Sequence, residues 1–444
     1  MLFGVLKGPS YDEAQWQLDK AIAFVDGVEF RFDLFTFQEI EEIVSRWPKL
    51  SLFTFRGASK ETIWKLLSLK PDFFDIDIRE DHSWLKEAKS VFPKTQWIIS
   101  YHDHEGVPED LEALLAKMKK TPAYAYKIAA MAHSTLGALK MLRFVQNHDD
   151  VIGIAMGENG QASRVLGPVV GNRIDYAALG DPFSGQLDVE ELCNIYRYKS
   201  LKKGDPIYAL IGDPVTYSRG HIVHNANLQQ GVYIKLKVGS EEIEQFRDLI
   251  MDLPFAGFSV TMPLKKLFDP ERAINTVAIR NNEWNFTNTD GPAAAYLLQQ
   301  HRNLAGAHCV ILGAGGAAEG VALALSELGV RITIANRTKA TALSLAKKIG
   351  GQVCSLEKLP DYDILVQATS VGMSPDEDQM PIREDQILPN RLVLEAIRSP
   401  LQTRFLKAAA ACNCTTVNGE ALWQAQAELQ RSFWGMGSGF KISH

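Results

Sequence analysis

Cysteine is scarce, five in 444 residues, with no Cys-x-x-Cys and only Cys412 and Cys414 close together. That spacing offers neither a disulfide framework nor a structural zinc or other metal site, and it suits free thiols in a reducing compartment. Basic runs are missing as well. With a net charge of -6, a phosphate-backbone partner has little electrostatic support, so nucleic-acid binding is not expected. Long apolar runs are also absent: no segment reaches membrane-spanning length, and the opening Met1-Leu-Phe-Gly-Val-Leu-Lys-Gly is too short for a secretory signal. A cytoplasmic chain with no membrane partner is the expectation. What is present, a hydrophobic fraction of 46% and a charged fraction of 23%, is the balance of a globular protein. A chain of 444 residues exceeds one ordinary core and predicts two domains of roughly 200 residues each.

In the first of these, 1–201, short β-rich runs alternate with stretches of helical periodicity. Strands are expected at 2–6, 28–32, 51–55, 73–78, 96–100, 123–128, 151–156 and, weakly, 176–179. Eight parallel βα units predict a (β/α)8 TIM barrel, in which catalytic groups occupy the C-terminal strand ends and the loops that follow. The polar residues fall there. Glu29, Arg31 and Asp33 alternate with Phe30 and Phe32, so three charges share one strand face. Arg56 follows the third strand and His102-Asp103 the fifth. Lys127 lies in the apolar run Tyr126-Lys-Ile-Ala-Ala130, and it either points to solvent or is held in a desolvated interior. Burial would lower its pKa and leave a neutral amine able to attack a carbonyl.

These fragments, followed in order by Ser163-Arg164 and Gly185-Gln186, resemble the type I 3-dehydroquinate dehydratase family over nearly the whole half. The resemblance implies that Lys127 forms an imine with the C3 ketone of 3-dehydroquinate. His102 would then remove the neighbouring proton and deliver one to the departing C1 hydroxyl. Glu29 would orient His102 or the substrate, Arg164 would bind the carboxylate, and Arg31, Arg56 and Gln186 would hold hydroxyls or the carboxylate. Two positions depart from the pattern. Lys60, with Glu61 beside it, stands where the family often has Glu, and Pro182 stands where Ser is usual, with Ser184 two residues closer to Gln186.

The polar, lysine-rich stretch 199–206 reads as a linker before a second domain at 206–444. Its clearest signal is an apolar strand running into Gly313-Ala314-Gly315-Gly316-Ala317-Ala318 and then an alanine-rich helix, the context a dinucleotide fingerprint requires. A second strand ends in Asn336-Arg337-Thr338. An arginine there, in place of an acid, favours NADP over NAD. Around the fingerprint stand Ser218, Phe258-Ser-Val-Thr261-Met-Pro-Leu-Lys265, Asn275-Thr276, Asn288-Thr-Asp290-Gly291, Ala368-Thr369-Ser-Val-Gly372-Met and Gln426. This order resembles shikimate dehydrogenase.

The second resemblance implies a substrate lobe at 206–305, a Rossmann-like NADP lobe at 306–410 and C-terminal helices at 411–444. Lys265 and Asp290 would be the catalytic pair. Ser218, Thr261, Asn275 and Gln426 would bind the carboxylate and ring hydroxyls, and Thr369 and Gly372 would join the fingerprint residues around the cofactor. Gly220, Ser259 and the Glu395-Ala-Ile-Arg398 segment depart from the family, the last replacing a tyrosine that contacts substrate. Together the halves imply a bifunctional enzyme acting on two small molecules, the product of the first site being the substrate of the second. The Gly220 and Arg398 departures keep a quinate-using dehydrogenase open. A regulatory protein built from two inactive copies would have no reason to retain Lys127, His102, Lys265 and Asp290.

Overall fold

The computed structural model describes residues 1–7, 10–31, 37–183, 185–269 and 271–436, so Asp33 and Ser184 lie outside the described residues. Two compact units divide the chain, Met1–Phe255 and Ala256–His444. Among the described residues, no helix is long and apolar enough to cross a membrane.

The first unit opens with eight parallel strands: β1 (Leu2–Leu6), β2 (Gly27–Arg31), β3 (Leu50–Thr54), β4 (Phe73–Asp77), β5 (Gln96–Asp103), β6 (Ala125–Met131), β7 (Val151–Met156) and β8 (Asp175–Ala178). They stand in the order β7-β6-β5-β4-β3-β2-β1-β8, which curls the sheet into a nearly closed barrel. Phe3, Val5, Leu52, Phe73, Ile98, Ala129, Ile152 and Tyr176 form one buried cluster on these strands. Between strands, the connecting helices start where a polar side chain satisfies a free N–H. Ser59 Oγ accepts from Thr62 N–H at 3.2 Å before Lys60–Ser68, and Asp110 Oδ1 accepts from Ala113 N–H at 2.8 Å before Leu111–Met118. β5 runs three residues beyond its expected end, because parallel pairing with β6 continues to Asp103 opposite Ala130. His102 therefore sits on a strand, paired with Ala129 of β6.

The same unit continues through the parallel pair β9 (Ile207–Gly212) and β10 (Val232–Lys237), linked by the helix Gly220–Asn227. Arg197 ties this segment to the barrel by donating to the carbonyls of Leu228 and Gly231 at 2.6 and 2.9 Å, while the Tyr196 ring stacks on His221 at 5.8 Å.

In the second unit β11 (Phe255–Val260), β12 (Thr276–Arg280) and β13 (Glu283–Thr287) pair antiparallel. Six parallel strands follow: β14 (His308–Leu312), β15 (Arg331–Ala335), β16 (Gln352–Cys354), β17 (Ile364–Gln367), β18 (Leu392–Glu395) and β19 (Thr415–Val417). Their order, β16-β15-β14-β17-β18-β19, reverses direction beside β14, the position at which doubly wound sheets open a crevice. β19 was not foreseen. It pairs with β18 inside the stretch 411–444 expected to be helical, and the helix Gly419–Phe433 follows it.

Candidate active sites

The C-terminal ends of the barrel strands enclose a cavity of about 720 Å³. Glu29, Arg31, Arg56, His102, Lys127, Arg164 and Gln186 all line it, so the barrel brings together the residues the sequence singled out. Lys127 is buried, and its Nζ donates to Glu29 Oε1 and Asp75 Oδ2, each at 3.1 Å, while lying 4.3 Å from the centre of the Tyr176 ring. Thr54 Oγ1 donates to the same Glu29 oxygen at 2.8 Å, and Arg56 pairs with Asp75 at 2.9 Å. Ser100 Oγ supplies a further bond to Asp75 at 2.5 Å. The site is thus an alternation of cations and anions, Arg56–Asp75–Lys127–Glu29, buried except at its half-buried Arg56 end.

This network corrects one expectation. Burial does oppose the Lys127 ammonium, but Glu29, Tyr176 and Asp75 outweigh it and hold the amine above its ordinary pKa. Asp75 is held well below the carboxylate range: burial works against its charge, and Arg56 and Lys127 overcome burial. Glu29 faces Lys127, where an orienting role toward His102 was one of two expectations. The carboxylate nearest His102 is Asp77, with Oδ2 3.7 Å from Nδ1. Burial sets the histidine below its usual pKa, opposed by Asp77. Arg164 is also buried, which lowers it to about 10.

Sequence reasoning passed over Asp75 and Asp77. Their signal was the one that exposed Glu29: Phe73-Phe-Asp75-Ile-Asp77 carries two carboxylates at strand spacing within an apolar run. Two residues of the motif serve the backbone. Ser163 Oγ donates to Gly160 O at 2.8 Å, and Asp103 Oδ1 accepts from the N–H groups of Glu105 and Gly106 at 2.8 and 3.2 Å. Gly185 has φ +77°, and a side chain there would meet the carbonyl of Gly157, so the turn that presents Gln186 to the cavity requires glycine.

In the second unit Lys265 Nζ lies 2.8 Å from Asp290 Oδ2. Asn275 Nδ2 donates to Asp290 Oδ1 at 2.8 Å and to Gln426 Oε1 at 3.0 Å, while Asn275 Oδ1 accepts from Thr289 N–H and Thr276 Oγ1, each at 2.8 Å. Asn275 is buried and both ends of its amide are used, so it fixes Asp290 beside Lys265. Thr261 is half-buried, and its carbonyl accepts from Leu264 N–H at 2.9 Å to open the turn carrying Lys265. Ser259 donates to Gln430 Oε1 at 2.9 Å, which puts this departure to structural use. Arg398 pairs with Glu420 at 3.2 Å and lies 3.8 Å from the centre of the Trp423 ring. Ser218 belongs to the first unit, where its Oγ accepts from Gly220 N–H at 3.2 Å before the helix Gly220–Asn227.

The glycine-rich turn leaves β14 through Gly313, whose φ is +114° and whose missing side chain would lie 2.8 Å from the carbonyl of Ala368. Ala314 and Gly315 lead to the helix Gly316–Glu327, on whose first turn Ala317 sits, and such an N-terminus suits a pyrophosphate. Asn336, Arg337 and Thr338 follow β15. Asn336 Nδ2 donates to Thr338 O at 3.1 Å, and exposed Arg337 edges a cavity of about 870 Å³ with Lys339 and Lys347. Thr369 is pinned by the buried Gln367, whose Oε1 accepts from its N–H and Oγ1 at 3.0 Å each, and Gly372 has φ +93°.

The family model for type I 3-dehydroquinase matches residues 2–203. That for the shikimate dehydrogenase substrate binding domain matches 210–270, and that for shikimate / quinate 5-dehydrogenase matches 296–377. Over 469 aligned residues, 98% of this chain and 95% of its relative, the sequence is 34% identical to the shikimate biosynthesis protein AroDE of Chlamydia pneumoniae. It is 29% identical to the chloroplastic bifunctional 3-dehydroquinate dehydratase/shikimate dehydrogenase of Arabidopsis thaliana, over 91% of this chain and 77% of that one. A crystal structure of a shikimate dehydrogenase in complex with NADP+ matches with TM-score 0.50 and 30% identity, covering 52% of this chain and 91% of that one.

Proposed function

Since this chain belongs to the family of bifunctional 3-dehydroquinate dehydratase/shikimate dehydrogenases, we propose that residues 1–201 dehydrate 3-dehydroquinate through a lysine imine and that residues 206–444 reduce the product with NADPH. The observation that carries the reading is the buried Lys127 with acceptors on two sides at 3.1 Å. Its ammonium passes a proton to one of these carboxylates. The freed amine adds to the C3 ketone and expels water, giving an iminium that acidifies the adjacent C–H. His102, whose burial favours the uncharged ring, removes that proton and returns one to the C1 hydroxyl as it leaves as water. Hydrolysis of the iminium restores Lys127. Arg164, with Arg31, Arg56 and Gln186, holds the carboxylate and hydroxyls against the cavity wall.

In the second site Lys265 hydrogen-bonds the substrate oxygen and transfers a proton to it. Asp290 positions Lys265, and Asn275 positions Asp290. Thr261 and Gln426 bind the carboxylate and ring hydroxyls. The glycine turn at 313–317, with Thr369 and Gly372, fits the dinucleotide pyrophosphate, and Arg337 fits a 2′-phosphate. When bound, NADPH supplies the hydride. Five free cysteines accord with a cytoplasmic location.

Borohydride added with 3-dehydroquinate tests the imine. We expect loss of dehydratase activity and a reduced adduct on Lys127 by peptide mass mapping. Full activity after treatment, or an adduct on another residue, would refute it.

A further inference from the structure

Among the described residues, His102 Nδ1 is buried and has no partner within hydrogen-bond distance, yet Asp77 Oδ2 stands 3.7 Å away. Asp77 is itself buried at the end of β4. Arg79 grips it from the far side: Nε donates to Oδ1 and Nη2 to Oδ2, each at 2.7 Å, and the Arg79 N–H donates to Oδ1 at 2.9 Å. The other carboxylates at hand are committed. Glu29 serves Lys127 and Thr54, while Asp75 serves Lys127, Arg56 and Ser100. Lys60, where the dehydratase resemblance would place an acid, reaches outward to Glu87 at 3.1 Å. No carboxylate comes from that position to meet the histidine.

We infer that Asp77 is the positioning residue of the proton carrier, fixing His102 with its Nδ1 proton toward Asp77 and its Nε2 toward the cavity. The assignment rests on the imine reading, in which His102 moves the protons. Catalytic hydrogen bonds are commonly long in an unliganded site and tighten in the reacting complex. A fixed carboxylate behind an imidazole selects the tautomer and stabilises the ring when it takes up a proton, as in the serine-protease triad. The other charges acting on His102 are Lys127 and Arg56, which oppose its protonation, and Asp75, which favours it. Arg79, Glu80 and His104 line the same cavity. Asp77 is distinguished from Asp75 by facing the ring nitrogen directly.

The test uses full-length Asp77→Asn, Asp77→Glu and Arg79→Ala, with borohydride trapping on Lys127 as the check that the barrel is folded. In Asp77→Asn, dehydratase kcat should fall about 10- to 100-fold with KM changed far less. The acid limb of its pH profile should move down by roughly one unit, because the ring loses the anion that favours its protonated form. Borohydride should still trap the adduct on Lys127. Asp77→Glu should recover part of kcat. Arg79→Ala frees the Asp77 carboxylate and should move the acid limb the other way, a result that stands even if Asp77→Asn does not fold. Trapping retained with an unmoved acid limb in both Asp77→Asn and Arg79→Ala overturns the assignment alone. Failure to trap an adduct in the unsubstituted enzyme overturns the imine reading and the assignment with it.

Discussion

On the proposed imine mechanism Lys127 must shed a proton before it can act, and its neighbours decide how. Asp75 lies between Lys127 and Arg56 with no exposure to solvent, so Asp75→Asn would leave the buried Lys127 and the half-buried Arg56 facing a neutral amide. Breaking a buried pair from one side costs about 3–5 kcal/mol, and dehydratase activity should disappear at correspondingly lower urea in this variant. An unchanged urea midpoint would count against the network. At the other site, Arg337→Ala removes a charge-assisted contact worth about 1.5–3 kcal/mol, or roughly 10- to 150-fold in affinity, from NADPH but not from NADH. Titration of both cofactors decides this, and equal losses would contradict the 2′-phosphate assignment. The residue types were legible in the sequence because Glu29, His102 and Lys127 interrupt apolar strand patterns. The charge on Lys127 was not, since it depends on Asp75, 52 residues away in the chain and on a non-adjacent strand.

At the scale of single elements, periodicity located the eight barrel strands but not their ends. β5 outruns its apolar run because its C-terminal residues are held by backbone pairing with β6, which side-chain pattern does not encode. β19 is only three residues long, too short for any period to register. β18 carries a different consequence. It ends in Glu395, fully buried, with Oε2 accepting from Thr403 Oγ1 at 2.6 Å and Oε1 without a hydrogen-bond partner among the described residues. Burial pushes this carboxyl up to about 7, against the Thr403 bond. Below about 4.5 it is protonated folded or unfolded and makes no difference; as pH rises from there toward 7 the unfolded chain gives up this proton while the folded one keeps it, so the folded state loses stability until the penalty levels off above about 7. Glu395→Gln should therefore gain stability over the parent progressively between about pH 4.5 and 7, by up to about 3 kcal/mol, and hold that gain above 7. Thermal melts across that range would show a constant offset if the carboxyl is not responsible.

On the scale of the whole chain, the lysine-rich stretch 199–206 was expected to separate two domains, yet it lies inside the first compact unit. Arg197 and Tyr196 bind residues 221–231 to the barrel, so the first compact unit extends to Phe255. Composition reports the exposure of a segment and carries no record of which surface will cover it. The chemical groups nonetheless separate: Lys127 and His102 lie in the first unit, and Lys265, Asn275 and Asp290 in the second. Lys127→Ala should abolish dehydration and spare reduction of added 3-dehydroshikimate, and Lys265→Ala should do the reverse. The most direct measurement supplies the intact protein with 3-dehydroquinate and NADPH and follows cofactor absorbance together with shikimate. One NADPH should be consumed for each shikimate formed. Neither lysine variant alone should support that flux, while an equal mixture of the two should restore it after a lag. NADPH left unoxidised by the parent chain, or a folded single variant that silences both partial reactions, would contradict two independent sites on one polypeptide.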